Sequence, residues 1–327
     1  MSGYIKHHKM YVLYLDGLND KGEIKMILGL DIGNLTTVCV SADNSIIFES
    51  RFKPYQQLNH FGEDDVFEID SNKFIFEEGY FENNLIKHEK ENFITLIYYA
   101  IAKTCNSNLV KLTVGIPAGQ YNTEKENIRK IIMQNACKTV KLNGELRAIT
   151  IEDVFIVPEG YGVKVESLTD IDNNSKTLVI DIGGGTTDIA EFNEKGKFVG
   201  GKSIKTGLID LYQNIAEILD TKYRLDISLE DARKYFDGEL SVKNDKFEEE
   251  TTYKKEALLD FGKYLMNELR GLYSSNLSQY NIVLSGGGAK SLYPLFMKVY
   301  PQTKSIEDIT ANAKGFRKVG VAKWQKN

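Results

Sequence analysis

Two eight-residue stretches carry the most specific chemistry in the chain. Leu30-Asp31-Ile32-Gly33-Asn34-Leu35-Thr36-Thr37 returns 150 positions later as Ile180-Asp181-Ile182-Gly183-Gly184-Gly185-Thr186-Thr187. Each leaves an apolar run, bends on glycine and enters a threonine-rich run. Glycine has no Cβ, so backbone N–H groups at such a bend can approach a phosphate closely. The hydroxyls of Thr36 and Thr186 can add neutral donors. The aspartates that open the turns, Asp31 and Asp181, suit a hydrated Mg²⁺, which keeps several waters where it bridges phosphates. A single Asp-x-Gly turn is most simply an ordinary hairpin. Two in register, with a third glycine run at Ser285-Gly286-Gly287-Gly288, point instead to a clamp on the β- and γ-phosphates of a nucleotide.

Other residues invite roles with less force. Glu159 follows Pro158, which predicts a place in the first turn of a helix. A carboxylate there would favour the helix dipole; facing a cleft, it would instead orient a water for attack. Gly207 is expected to open a helix beside the bound nucleotide, the plain alternative being a cap with no ligand. Asp188 and Asp210 are polar and close in sequence, and no role is assigned to either. Gly196 to Ser203 fits the pattern G-x-x-x-x-G-K-[ST], but that loop needs a helix immediately after it. Here a turn signal precedes it and Phe198–Ile204 continues as a strand, so the match is read as coincidence.

The elements that must hold these turns alternate between strand and helix. Met26–Asp31, Leu35–Val40, Ser45–Ser50, Lys111–Ile116, Lys176–Asp181, Thr187–Phe192, Phe198–Ile204 and Asn281–Leu284 read as strands. Asn92–Thr104, Thr123–Ala136 and the last seventeen residues read as helices. Lys255–Leu272 places Leu258, Phe261, Leu265, Leu269 and Leu272 on one buried helical face. With a half-chain repeat, this predicts an α/β fold of two similarly built domains around a nucleotide cleft. Residues 26–157, completed by the terminal helix 311–327, would form the first domain and 158–310 the second. Residues 1–25 read as an N-terminal extension, either an upstream start or an arm that contacts a neighbouring subunit.

Bulk composition narrows the function classes. With 327 residues, 42% of them hydrophobic, the chain can bury two cores. Its 41 basic and 46 acidic residues give a net charge of -5, unsuited to gripping nucleic acid over a broad face. Three scattered cysteines form no CxxC, so neither a zinc knuckle nor a disulfide framework is read and a cytoplasmic setting is expected. The longest apolar-rich run, Phe93–Ala102, is about half a membrane span, and no membrane role is expected.

These motifs, in this order, resemble the actin, sugar kinase and DnaK-type ATPase superfamily, over residues 26 to 327. Asp31–Thr36 is similar to its first phosphate motif, Asp181–Asp188 to its second and Ser285–Ala289 to its adenosine motif. Val157–Gly162 and Ala311–Phe316 are similar to its two connecting helices. The run Gly115-Ile116-Pro117-Ala118-Gly119-Gln120-Tyr121, the Ala-Asn-Ala-Lys-Gly-Phe near the end and the overall length most resemble plasmid-segregating bacterial actins of the ParM type. The second turn departs from them, with three glycines where two are common. The resemblance implies an ATPase with Mg²⁺, with GTP as an alternative nucleotide, that assembles into a homopolymeric filament. It implies nucleotide contacts from Gly33, Asn34, Leu35, Thr36, Gly183, Gly184, Gly185, Thr186, Gly207, Ser285, Gly286, Gly287 and Gly288. Glu159 and Asp181 would be catalytic, with Asp31 and Asp181 toward the metal. Plasmid DNA would be reached through a DNA-binding adaptor at a centromere-like site, in keeping with the acidic charge. A small-molecule kinase of the same fold is the first alternative. A chaperone-type ATPase is the second, and it would need a peptide-binding domain that is not read in this chain.

Overall fold

The computed structural model describes residues 26–56, 66–79, 81, 92–167, 175–224, 226–240 and 247–325. The expected arm, residues 1–25, lies outside them. Among the described residues the chain opens with the strands β1 (Met26–Ile32), β2 (Thr36–Val40), β3 (Ser45–Glu49), β4 (Phe52–Pro54), β5 (Val66–Ile69) and β6 (Asn72–Phe76). Helix α1 (Phe93–Thr104), β7 (Leu109–Ile116), α2 (Tyr121–Gln134), β8 (Cys137–Leu142), β9 (Glu145–Pro158) and α3 (Tyr161–Glu166) follow. The second half holds β10 (Thr177–Ile182), β11 (Thr187–Phe192), β12 (Phe198–Ile204), α4 (Leu208–Tyr223), α5 (Leu229–Asp237) and α6 (Phe247–Tyr273). It ends with β13 (Asn281–Ser285), α7 (Ala289–Val299), β14 (Thr303–Ser305) and α8 (Ala311–Trp324).

The repeat seen in the turns extends to whole sheets. One described sheet has the order β3-β2-β1-β7-β9 and then β8-β5-β6-β4; the other has the order β12-β11-β10-β13-β14. In both, three strands form an antiparallel meander whose first member pairs in parallel with a strand reached by a helical crossover, and that strand pairs in parallel with one more. Parallel strands covered by helices must be apolar along their length. Accordingly Leu28, Leu30 and Ile32 on β1, and Leu178, Ile180 and Ile182 on β10, are fully buried. Strands β8, β5, β6 and β4 widen the first sheet and, among the described residues, have no counterparts in the second. An aromatic cluster supports that extension: Phe76 and Tyr99 stack at 3.5 Å, and Phe48 and Phe67 meet Tyr99 edge to face.

Helix α8 returns to the first sheet and crosses α3 on the way. The crossing is close because both helices present glycine: a Cβ on Gly162 would strike the Asn312 carbonyl, and one on Gly315 would strike Gly162. Phe316 is fully buried against Gly115, where a Cβ would occupy the space of its ring. In α6 the predicted face is buried at Phe261, Leu265 and Leu269, but Leu272 is 41% exposed where the helix ends.

Candidate functional site

The two glycine turns have the same internal bond. Gly33 N–H donates to the Thr36 carbonyl at 2.9 Å, and Gly183 N–H donates to the Thr186 carbonyl at 2.9 Å. These two amides close their turns, so the cradle for an anion falls to the residues that follow them. A cavity of about 310 Å³ lies between the turns. Of the sequence-predicted residues, Asp31, Gly33, Asn34, Leu35, Thr36, Glu159, Asp181, Gly183, Gly184, Gly185, Thr186, Ser285, Gly286 and Gly287 line it.

Gly207 and Gly288 are not among the lining residues. Gly207 does cap α4, but a Cβ there would meet the Gly184 carbonyl, and its N–H donates to Asp210 Oδ2 at 2.8 Å. The first amides of α4 are likewise taken, Leu208 N–H by the Gly183 carbonyl and Ile209 N–H by the Gly184 carbonyl. That helix therefore buttresses the second turn, and Asp210 completes its cap. Gly288 caps α7 and packs against the Ile182 side chain. The glycine run after β13 contributes at Gly286, whose φ of +82° favours glycine, and a Cβ there would stand 2.5 Å from Asp181 Oδ1.

The cavity floor joins the two sheets. Leu35, from the first turn, belongs to the core beneath the second sheet. A Cβ on Gly184 would stand 2.5 Å from Leu35 Cγ, so the second turn can close on the first only as glycine. Asp181 is held on both oxygens: Oδ1 accepts from Ser285 Oγ at 3.1 Å, and Oδ2 from Asn312 Nδ2 at 2.6 Å. Ser285 therefore orients an acid through its hydroxyl.

Glu159 departs from its predicted place. Strand β9 runs through Pro158, and Glu159 N–H donates to the Ile116 carbonyl at 2.7 Å, which extends the ladder. Gly160, at a φ of +83°, then turns the chain into α3. Glu159 thus precedes the helix cap, and the helix-dipole role is corrected: its buried carboxylate stands at a strand end on the cavity wall.

Asp188 is the acid that sequence reasoning passed over. It pairs across the β10–β11 hairpin with Asp181 and is buried. Its Oδ1 accepts from Ser203 Oγ at 2.5 Å and from Ala118 N–H, on the loop after β7, at 3.1 Å. Oδ2 accepts from Thr186 Oγ1 at 2.8 Å, so the threonine hydroxyl predicted for phosphate is directed to Asp188. Burial, with Glu159 and Asp181 nearby, pushes the Asp188 carboxyl well above the usual carboxylate range. The repeat itself held the signal: the position equivalent to Asp188 is Val38, paired with Asp31, and a carboxylate replacing valine on a buried strand marks a site. Arg233, Asp237, Tyr212, Asp308 and Asn312 also line the cavity, brought from α4, α5, α8 and the loop before α8, with no local motif to reveal them.

The wall is acidic. Asp31, Glu159, Asp181, Asp188, Asp237 and Asp308 face a single described cation, Arg233. A bare polyphosphate would be repelled, so an anion fits only with a neutralising metal. Among the described residues no three acidic, histidine or cysteine side chains converge to chelate one directly. This donor set fits a hydrated Mg²⁺ held by one or two carboxylates and the phosphates. Among the described residues no helix is long and apolar enough to cross a membrane.

Residues 29–162 match the model of the actin-like proteins N-terminal domain. No curated protein matches the chain. Among solved structures, an archaeal actin homolog, Ta0583, in complex with ADP superposes with a TM-score of 0.77 at 20% identity, over 90% of this chain and 98% of that one. A 15-stranded ParM filament from Clostridium botulinum superposes with a TM-score of 0.72 at 16% identity, covering 90% and 99%. An AlfA filament bound to AMPPNP gives 0.62 at 17%, covering 93% and 98%. The chain therefore has the two-domain actin-like fold of these ParM-like structures, and its residues 29–162 resemble the N-terminal domain of actin-like proteins.

Proposed function

We propose that the protein is an actin-like ATPase that assembles with ATP into a homopolymeric filament and moves plasmid DNA through an adaptor. The observation that carries this reading is the closure of two Asp-x-Gly turns, one per sheet, over one acidic cavity, with Leu35 against Gly184. A ligand that touches both turns favours the closed arrangement of the two halves, which is how binding can bias assembly. Residues 26–157 with the terminal helix would be one domain and 158–310 the other, with α3 and α8 as the hinge between them.

In this reading the amides after Gly33 and Gly183 cradle the phosphates, with Gly286 and Gly287 admitting the nucleoside end. Mg²⁺, held by Asp31 and Asp181, would supply charge neutralisation. Asp181 is oriented by Ser285 and Asn312, and Glu159 orients the attacking water from the strand end. Filament contacts would be heterologous and open, each subunit offering two different faces. The acidic net charge favours indirect contact with DNA. The reading is tested by light scattering and phosphate release followed together after ATP and Mg²⁺ are added, with GTP compared. Scattering that rises with ATP, before phosphate release, supports it; phosphate release only on addition of a small hydroxylated co-substrate would favour a kinase.

A further inference from the structure

Charged side chains at the cavity rim connect its two sides. Glu49 ends β3 in the first sheet, and Arg233 lies on α5, which packs on α4 of the other half. Arg233 Nη1 donates to Glu49 Oε1 at 2.7 Å across the cleft. Arg51 Nε donates to Glu49 Oε2 at 2.5 Å, and its Nη1 reaches Glu230 Oε2, also on α5, at 3.3 Å. The Arg51 guanidinium also stands 5.0 Å over the ring of Phe81, a first-half residue that packs against the core of the second. The side chains of Arg51, Glu49 and Arg233 are only 16%, 17% and 29% exposed.

We infer that Glu49, Arg51, Glu230 and Arg233 form an electrostatic clasp that must open for nucleotide to leave, and so sets the rate of nucleotide exchange. Two crossing ion pairs, with a shared arginine–glutamate contact, hold the rim at two points. Arg233 also lines the cavity, so the clasp is anchored on the wall it guards. Partial burial makes these pairs stronger than ion pairs fully in water, while the exposed outer edge at Glu230 leaves salt a way in. The inference rests on reading the cavity as a nucleotide site.

The test is stopped-flow release of a methylanthraniloyl-labelled ATP from the full chain, chased with excess ATP. The double variant Glu49→Gln with Glu230→Gln removes both acidic partners, and neither residue lines the cavity. Release is expected to quicken roughly tenfold, equivalent to about 1.4 kcal/mol. Wild-type release should also quicken between ~0.05 and ~0.5 M NaCl, while the double variant stays nearly flat. Release within about twofold of wild type in a folded double variant overturns the clasp. Should that variant not fold, wild-type release that is insensitive to salt overturns it equally. A wild-type chain that binds no labelled ATP overturns the nucleotide reading, and the clasp's role falls with it; normal binding with unchanged release overturns the clasp alone.

Discussion

Asn312 Nδ2 donates to Asp181 Oδ2 at 2.6 Å across 131 positions of chain. Its Oδ1 accepts from Gly160 N–H at 3.1 Å and Val163 N–H at 3.4 Å. One buried amide thus holds the start of α3, the start of α8 and the acid of the second glycine turn in fixed relation.

Replacing Asn312 with alanine strands two buried N–H groups and frees one Asp181 oxygen. Unsatisfied buried groups cost about 1–3 kcal/mol each, so Asn312→Ala is expected to lose about 2–4 kcal/mol in urea unfolding. Asn312→Asp should be worse, because it sets a second carboxylate against Asp181. A loss below ~0.5 kcal/mol for alanine would show that the network does not hold these elements.

The contact between Leu35 and Gly184 makes a paired prediction. Gly184→Ala puts a methyl 2.5 Å from Leu35 Cγ, so the turns should separate and ATP affinity fall by ~10-fold or more, measured by equilibrium dialysis. Adding Leu35→Ala opens that space, and the double variant should recover much of the affinity. Equal losses with and without Leu35→Ala would mean that the turns do not meet in solution.

Those two relationships also mark the limit of what the sequence discloses. The turns, β1, β10 and β13 were legible because apolar runs ending in glycine have few other readings, and the terminal helix from its Phe316, Val319, Gly320 and Trp324. Strands β5 and β6 were not: Val66–Ile69 and Asn72–Phe76 are short and interleave charge, and their support comes from Phe48 and Tyr99, distant in sequence. Pro158 suggested a helix start, yet the ladder from β7 carries the strand one residue further. Leu35 looked like part of a phosphate turn, and only the packing reveals it in the opposite core. Arg233 and Asn312 reach the cavity by tertiary contact alone.

Glu159 is expected to act on water and contribute little to holding ATP. Removing a group that orients water or takes its proton typically costs ~10²–10⁴-fold in rate. Glu159→Ala should therefore bind ATP and assemble, release phosphate at a rate lower by that factor, and yield filaments that outlast those of wild type. Phosphate release within about threefold of wild type would remove Glu159 from the mechanism.

Asp188 gives the nucleotide-free protein a distinctive response to pH. Its carboxyl titrates well above the usual range when folded and near that range when unfolded, so the folded state binds the extra proton. The resulting stability is present at acid pH and declines as pH rises through the folded-state value, by about 1.4 kcal/mol per pH unit between the two pKa values. Asp188→Asn cannot titrate. Its thermal stability relative to wild type should climb steadily from about pH 4 upward, read by calorimetry. A difference between the two proteins that does not change with pH would contradict the assignment.

The coupling of nucleotide to assembly is read most directly by high-speed sedimentation of the full chain with ATP and Mg²⁺, with ADP and Mg²⁺, and with no nucleotide, the pellets viewed by electron microscopy. Wild-type protein is expected to pellet as filaments with ATP and to remain largely in the supernatant without nucleotide. Gly184→Ala should remain in the supernatant throughout. Protein that stays soluble in all three conditions, at concentrations where ATP is bound, would contradict the filament-forming function.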